Sequence, residues 1–580
     1  MLKSQGWRAE RHSKPKPKPR RSPGPTISLF RRYPRPISLR RSPTTRFRVI
    51  AVALIIAVYL LYTSIRHSHS TGRRSSKNPA IHIQAAKCCN SSAEESGEIR
   101  GAMMLAFDSY KKKAWGSDDV MAISGDARNK RNGWGAFIAE SSTTFAVMEL
   151  WDDLKLSVDH LLAVDFRKVD GGLIDPAEAT ETYLGAYLSL VNMVDEGVVP
   201  KSVIDDERRS ELLKQASALS EILAPTYNSP SGLPWQLINA KTSEGVEGGL
   251  VSPGRVSTGV QEALVSTLYP AIKSFIGPIS KAWASLKSDK GTHAIRGLIP
   301  GAWAVDDGSP VGAGLRWDSH YETLLNTVIL DPKDTKMNAG DSSRKHLWPW
   351  SQAARAVRWH LASRSMETKK APMQHLFMGS YHGSWYKNEM ELSDCSAAGN
   401  IILGAVYAGR KNLIPLGQAL LEGCEYLWKA TPSELPPRSI AWKPSQNYRF
   451  NTSFSPESDR QKQEFNDHGF WVTEAGFNVV DAVGFTQSLF YAYRITGEQR
   501  YRDFAWQVYK SLKRLWTKKG YAGIEDVMAS SSEESALAES DAKGVARVLM
   551  YLWLIFKDGE RGSLDKWVYS SVGHPYRNGH

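Results

Sequence analysis

Only four of the 580 residues are cysteine, so no dense disulfide framework holds this fold together. With 42% hydrophobic and 23% charged residues, the chain is neither a disordered polymer nor a collagen or coiled-coil rod. Acidic residues are nearly missing from one end. Residues 1–48 contain 15 of the 74 Lys and Arg but only Glu10 among the 60 acids, which leaves 59 of each sign from Val49 onward. The net charge of +14 therefore belongs to a tail, the remainder is neutral, and no nucleic-acid partner is expected. Val/Ile-rich alternating runs are few, which argues against a large β-sheet. Long uncharged apolar runs are scarce too, and the notable one is Val49 to Ile65.

That run of 17 residues, VIAVALIIAVYLLYTSI, lies between Arg48 and Arg66 and is long enough to span a bilayer. It begins too far from Met1 for a cleaved signal peptide, and the basic excess on its N-terminal side places the tail in the cytosol. The expectation is a single-pass type II membrane protein with its large domain lumenal or extracellular. Residues 1–48 read as a disordered basic tail, with Lys-Pro alternation at Lys14, Lys16 and Lys18, and residues 66–99 as a polar stem. Cys88 and Cys89 are adjacent within that stem, poorly placed to bridge each other and open to cross-linking between chains. Cys395 and Cys424 remain as the pair inside the globular part. Asn90-Ser-Ser and Asn451-Thr-Ser are glycosylation sequons suited to an oxidising, lumenal setting.

From residue 100 onward the apolar spacing is helical. Phe504, Val508, Leu512 and Leu515 mark one face of an amphipathic helix, and Val545, Leu549, Leu552 and Phe556 mark another. Similar patterns occupy Thr182 to Met193, Ser210 to Leu223, Asn400 to Val406 and Gln487 to Ile495, with Gly/Pro loops between them. The predicted class is all-α, arranged as a closed array of helix pairs. The 19 tryptophans are scattered over helical faces and read as core.

Several ordered segments carry a family resemblance: SYKKKAWGSDD, NGWGAFIAESSTTFAVMEL, LAPTYNSPSGLP, WDSHYETLL, QSLFYAYRITGEQRYRDFAWQVY, GYAGIEDV and LDKWVYSSVGHP. In this order they resemble glycoside hydrolase family 47, the class I α-1,2-mannosidases. The resemblance covers residues 100–580 and implies an (α/α)7 barrel, a calcium ion at its floor, and removal of α-1,2-linked mannose from high-mannose N-glycans in the ER or Golgi membrane system. It also implies that Cys395 and Cys424 form a disulfide. The alternative on the same barrel is a catalytically silent glycan-binding protein.

Inverting glycoside hydrolysis needs an acid on the leaving oxygen and a second carboxyl group to position or deprotonate water. Carried over by motif, the candidate acid is Glu178, with Glu181 one turn away as a competing assignment, and Thr182 stands where the family has Arg. The second carboxylate is Asp318 in WDSHYETLL, with Glu322 as a substrate contact. The third falls on Gly484, which cannot accept a proton, with Ala482 and Val483 replacing the Arg-Pro before it. Arg438 replaces a Glu and Leu392 a His. In the last helix Asp541 and Arg547 stand where the pattern has two Glu, although a shift of two would recover Glu539 instead. Ser571 is the candidate calcium ligand, and Val572 replaces the neighbouring carboxylate.

Overall fold

The computed structural model describes residues 82–86, 88–246, 248–272, 276–286, 295–312, 314–331, 343–445, 451–452, 455–529 and 536–579. The tail, the apolar run at 49–65 and the first half of the predicted stem lie outside them. Among the described residues no helix is long and apolar enough to cross a membrane.

Seven helices pack in sequence and close on themselves: Ala136–Met148, Gly185–Asp195, Val260–Ser266, Ser319–Leu330, Ser396–Tyr407, Val483–Thr496 and Val545–Ile555, the last returning to the first. Each has an outer partner, in order Trp151–Leu162, Asp206–Leu223, Ile276–Ser285, Ser343–Ala356, Ile414–Ala430, Gln499–Lys513 and, for the last, the N-terminal helix Ala93–Lys113. Two layers explain the two kinds of sequence. Outer helices need one apolar stripe, and Gln499–Lys513 buries Phe504, Val508 and Leu512 on one side as its spacing predicts. Inner helices touch neighbours on every side. All of Val545–Ile555 is buried, so the single face read from Val545, Leu549 and Leu552 is a corrected expectation.

The C-terminal hairpin, Trp567–Tyr569 paired antiparallel with Pro575–Arg577, fills one end of the ring. Four inner helices hold it. Thr143 Oγ1 meets His574 Nδ1 at 2.9 Å, Ser189 Oγ donates to the Pro575 carbonyl at 2.6 Å, Asn326 Nδ2 donates to the Tyr569 carbonyl at 3.0 Å, and the Tyr576 hydroxyl donates to Glu262 at 2.8 Å. His574 and Tyr576 are fully buried. The turn carrying Ser571 is thereby fixed toward the ring's interior.

Two features differ from expectation. The stem assignment runs too far, because the helix Ala93–Lys113 begins inside it and Ala85 N already donates to the Arg494 carbonyl at 2.9 Å. Polar composition concealed this, although Ile83 and Ile99 are buried in the core and hydrogen bonds such as Ile83 N to Asp565 fix the backbone between. Cys88 and Cys89 are joined to each other, contrary to the expectation that they stay apart. Cys89 adopts a left-handed backbone (φ 86°). Cys395 and Cys424 are joined as expected, with Cα atoms 6.2 Å apart, and tie the start of an inner helix to its outer partner. Serine at either position is expected to lower the unfolding free energy by about 3–4 kcal/mol on the chain-entropy account, read from chemical denaturation midpoints.

Candidate active site

Glu178 lies in a short helix, Pro176–Ala179, capped by Asp175 and continued by a π-helical turn, Thr180–Leu184. The wide turn changes the helix register, and Glu178 and Glu181 both reach interior partners. Glu178 is 17% exposed and held by two cations: Arg131 Nη1 at 3.3 Å and Lys543 Nζ at 2.9 Å, with Thr182 Oγ1 donating to it at 3.2 Å. Burial alone would raise its pKa, but Arg131 and Lys543 together hold it below the usual carboxylate range. A carboxyl group kept ionised has no proton to donate.

Arg131 is the centre of this cluster. Its guanidinium bonds Asp119 at 2.6 Å and 3.0 Å and Glu140 at 2.7 Å as well as Glu178, and it is 7% exposed. Burial raises Asp119 to about 6 in spite of Arg131, whereas for Glu140 the pull of Arg131, then Arg547 and Lys543, outweighs burial and brings it to about 2. These residues were not found from sequence. The available signal was Glu140 itself, a lone charge inside an otherwise uncharged, fully buried helix, which requires a cation from elsewhere in the fold.

Glu181 sits deeper. Its Oε1 accepts from Ser571 at 3.0 Å and from Thr258 at 3.3 Å, and burial followed by repulsion from Glu178 raises its pKa. Thr258 also donates to the Gly254 carbonyl at 3.2 Å, and the Gly254 N–H reaches Asp318. A Cβ at Gly254 would lie 2.4 Å from Ser319 Oγ and 3.0 Å from Asp318, so this close approach requires glycine. Asp318 caps the helix Ser319–Leu330 by accepting from His320 N at 2.7 Å. Burial raises it to about 6 against that bond and Arg316, and raises Glu322 to about 7 against a bond from Ser396. The predicted pair is thus brought into one connected network, with protonation tendencies opposite to the expected roles: Glu178 is held ionised and Asp318 is raised.

At Gly484 the structure leaves no room for a base. A Cβ there would lie 2.9 Å from Ser396 Cβ and 3.1 Å from the Ser393 carbonyl oxygen. Arg438 turns to Asp481 at 3.2 Å, and Leu392 is buried in the core. Of the two acids in the last-helix motif, Glu539 accepts from Ile123 N and Ser124 N at 2.7 and 3.1 Å. Asp541 instead caps Lys543 N at 3.2 Å and lies close enough to Asp119 to raise it.

The residues at the floor do not fit a calcium ion. The Ser571 hydroxyl donates to Glu181, Val572 supplies only its backbone, and the Arg547 side chain packs on the same turn, its Cγ 3.2 Å from where a Gly573 Cβ would stand. Arg547 reaches Glu140 at 3.6 Å and, with Lys543, acts on Glu181. Two resident cations acting on the Glu181 carboxylate disfavour a dication there. Calcium or a chelator is expected to move the thermal midpoint by less than about 1 °C, and a calcium-dependent rise of several degrees would contradict this.

A second expectation concerns pH. Asp318, Glu322 and Glu262, the last also raised by burial to about 7, bind protons more tightly folded than unfolded, so each lowers stability as pH rises through those values. Glu140 acts oppositely, its contribution being complete above the ordinary 4.5 and lost as pH falls toward about 2. Buried His320, His375 and His574, each lowered by burial, act the other way over the same interval, so the test is differential: Glu262→Gln with Glu322→Gln is expected to remove a loss of midpoint between about pH 5 and about pH 8 relative to the unmodified protein. A double variant whose pH dependence matches that of the unmodified protein would refute the assignment.

The sequence model of glycosyl hydrolase family 47 matches residues 102–578. The mannosyl-oligosaccharide α-1,2-mannosidase 1B of Aspergillus oryzae is 28% identical over 512 residues, covering 84% of this chain and 93% of that protein. The mannosyl-oligosaccharide α-1,2-mannosidase of Penicillium citrinum is 25% identical over 501 residues, covering 82% and 90%. The structure of an α-1,2-mannosidase from Trichoderma reesei shares the fold with a TM-score of 0.75 at 21% identity, covering 84% of this chain and all of that one. With a match of that extent on a ring of seven helix pairs closed by its C-terminal hairpin, this chain belongs to glycosyl hydrolase family 47.

Proposed function

We propose that this chain recognises α-1,2-linked mannose at the ends of high-mannose N-glycans in the secretory pathway and hydrolyses it very slowly or not at all. The ring of helix pairs is read as the (α/α)7 barrel of the family, with the sugar site taken to lie at Glu178 and Asp318. One observation carries the reading: Glu178 is locked as a carboxylate between Arg131 and Lys543. Hydrolysis needs a protonated acid at that place and an acceptor for the water proton opposite it. Neither requirement is met where the motifs predict it, since the base position is the walled-in Gly484. Binding makes smaller demands. Sugar hydroxyls both donate and accept, and the mixed carboxylates and cations of this cluster offer partners for both.

A slow hydrolase is the second reading, favoured by Asp318 and Glu322. Burial raises them to about 6 and about 7, so a carboxyl group with a proton to give is present near neutral pH. Titrating the purified protein with α-1,2-mannobiose in a calorimeter, and following mannose release from a high-mannose glycan, separates the two. Saturable binding without release supports the first reading, and release abolished by Asp318→Asn supports the second. Absence of both binding and release sinks both. The type II orientation is a further part of the proposal. Protease added to sealed microsomes is expected to trim only the tail before Arg48, and protection of that tail would reverse the orientation.

A further inference from the structure

A second sugar-binding element lies outside the pocket, on the small sheet that leads into Asp318. Four strands pair in the order Asn451–Thr452, Trp385–Lys387, Ser380–His382, Gly314–Leu315. In register, Trp385 faces Asn451 on one side and His382 on the other, and His382 faces Gly314. Directly opposed residues share a face, so Trp385, His382 and Gly314 form a row across three strands. The alternate row, Tyr386, Tyr381 and Leu315, lies on the opposite face; Tyr386 and Leu315 are buried, and Tyr386 is fixed by bonds to Ser363 Oγ at 3.0 Å and the Leu361 carbonyl at 2.6 Å.

The first row is open. Trp385 is 53% exposed and His382 is exposed. Gly314 presents no side chain, and the His382 ring lies over it, its Cε1 3.8 Å from where a Cβ would be. Two residues beyond Gly314 comes Arg316, 47% exposed and paired with Asp394 at 3.2 Å, and two beyond that comes Asp318. The exposed indole stands two strand spacings, about 10 Å, from the segment that leads to Asp318.

The geometry points to this row as a shelf, a subsite for the saccharide units that extend beyond the terminal mannose held in the pocket. Trp385 stacks on the apolar face of a sugar ring, and His382 bonds its hydroxyls. The chemistry favours a saccharide over a protein partner. Among the described residues the indole stands with His382, Ser384 and Lys387, an aromatic plate with a polar rim, the arrangement that suits a ligand with one apolar face and a wet edge. The inference rests on the glycan-binding reading above and deepens it.

Calorimetry on the full-length protein with two probes, α-1,2-mannobiose and an intact high-mannose glycan, tests it. Trp385→Ala is expected to weaken the intact glycan by about tenfold, the scale of one aromatic anchor, and to leave mannobiose unchanged, with Trp385→Tyr restoring most of the loss. Equal loss for both probes makes Trp385 a support of the pocket and overturns the shelf, as does no loss for either. Binding of the intact glycan alone, still dependent on Trp385, upholds the shelf while defeating the pocket reading, and binding of neither probe defeats both. The sequon at Asn451 provides the remaining arm. If Asn451→Gln tightens the intact glycan while Trp385→Ala in that background has no effect, the shelf serves the protein's own glycan and the subsite is refuted.

Discussion

Replacing Arg131 with leucine is expected to lower the unfolding free energy by about 3–5 kcal/mol, more than opening the Cys395–Cys424 bridge. Arg131 is 7% exposed and serves three carboxylates, Asp119, Glu140 and Glu178. Removing it leaves three buried anions with only Lys543 and Arg547 nearby. Glu140 bears most of the loss, since Arg131 is the main reason its pKa lies at about 2. Lysine at position 131 is expected to recover part of the stability, because it keeps the charge while losing the planar fork that bonds Asp119 twice. The loss should shrink at acid pH, where the abandoned carboxylates take up protons. Chemical denaturation at two pH values reads both effects, and an unfolding free energy unchanged by Arg131→Leu would remove Arg131 from the centre of the site.

The second large effect is kinetic. The unmodified protein is expected to release mannose at least about 10²- to 10⁴-fold more slowly than a family member with a complete acid and base, the usual worth of one proton-transfer group. Gly484→Glu alone should not recover it. Its Cβ would meet Ser396 Cβ at 2.9 Å and displace the start of the helix Ser396–Tyr407, disturbing the Ser396 bond to Glu322. Exchanging the surrounding motif as well, with Ala482→Arg, Val483→Pro and Arg438→Glu, reinstates the neighbours but leaves Glu178 ionised. Adding Lys543→Ala removes one of its two cations and lets burial raise its pKa toward that of a working acid. Release that emerges only in this combination, and disappears with Glu178→Gln, supports both assignments. Brisk release by the unmodified protein that is indifferent to Glu178→Gln would refute them.

The candidate site was legible where motifs are contiguous. WDSHYETLL located Asp318 and Glu322, and Tyr183-Leu184-Gly185 anchored Glu178. It was not legible where the chemistry comes from segments far apart. Lys543 and Arg131 are 412 positions apart, yet both hold Glu178. Motif comparison records that Arg547 replaces a Glu, but only the fold shows that its side chain lies against the Ser571 turn and within reach of Glu140. The same holds for Gly484: the missing side chain is visible in the sequence, whereas Ser396 and Ser393 closing the space are not.

What the sequence by itself determined is the mostly helical class, the family, the Cys395–Cys424 pair and the glycine at position 484. These depend on local periodicity and on short ordered motifs, which survive in a chain read one window at a time. Only the tertiary structure decided which helices are inner and buried on every side, where the stem ends, that Cys88 pairs with Cys89, and that Glu178 is held as an anion. The physical reason is that a carboxyl group's protonation follows from the burial and charges around it. Here those charges, Arg131 and Lys543, reach Glu178 only when the first and last helices of the ring close against each other.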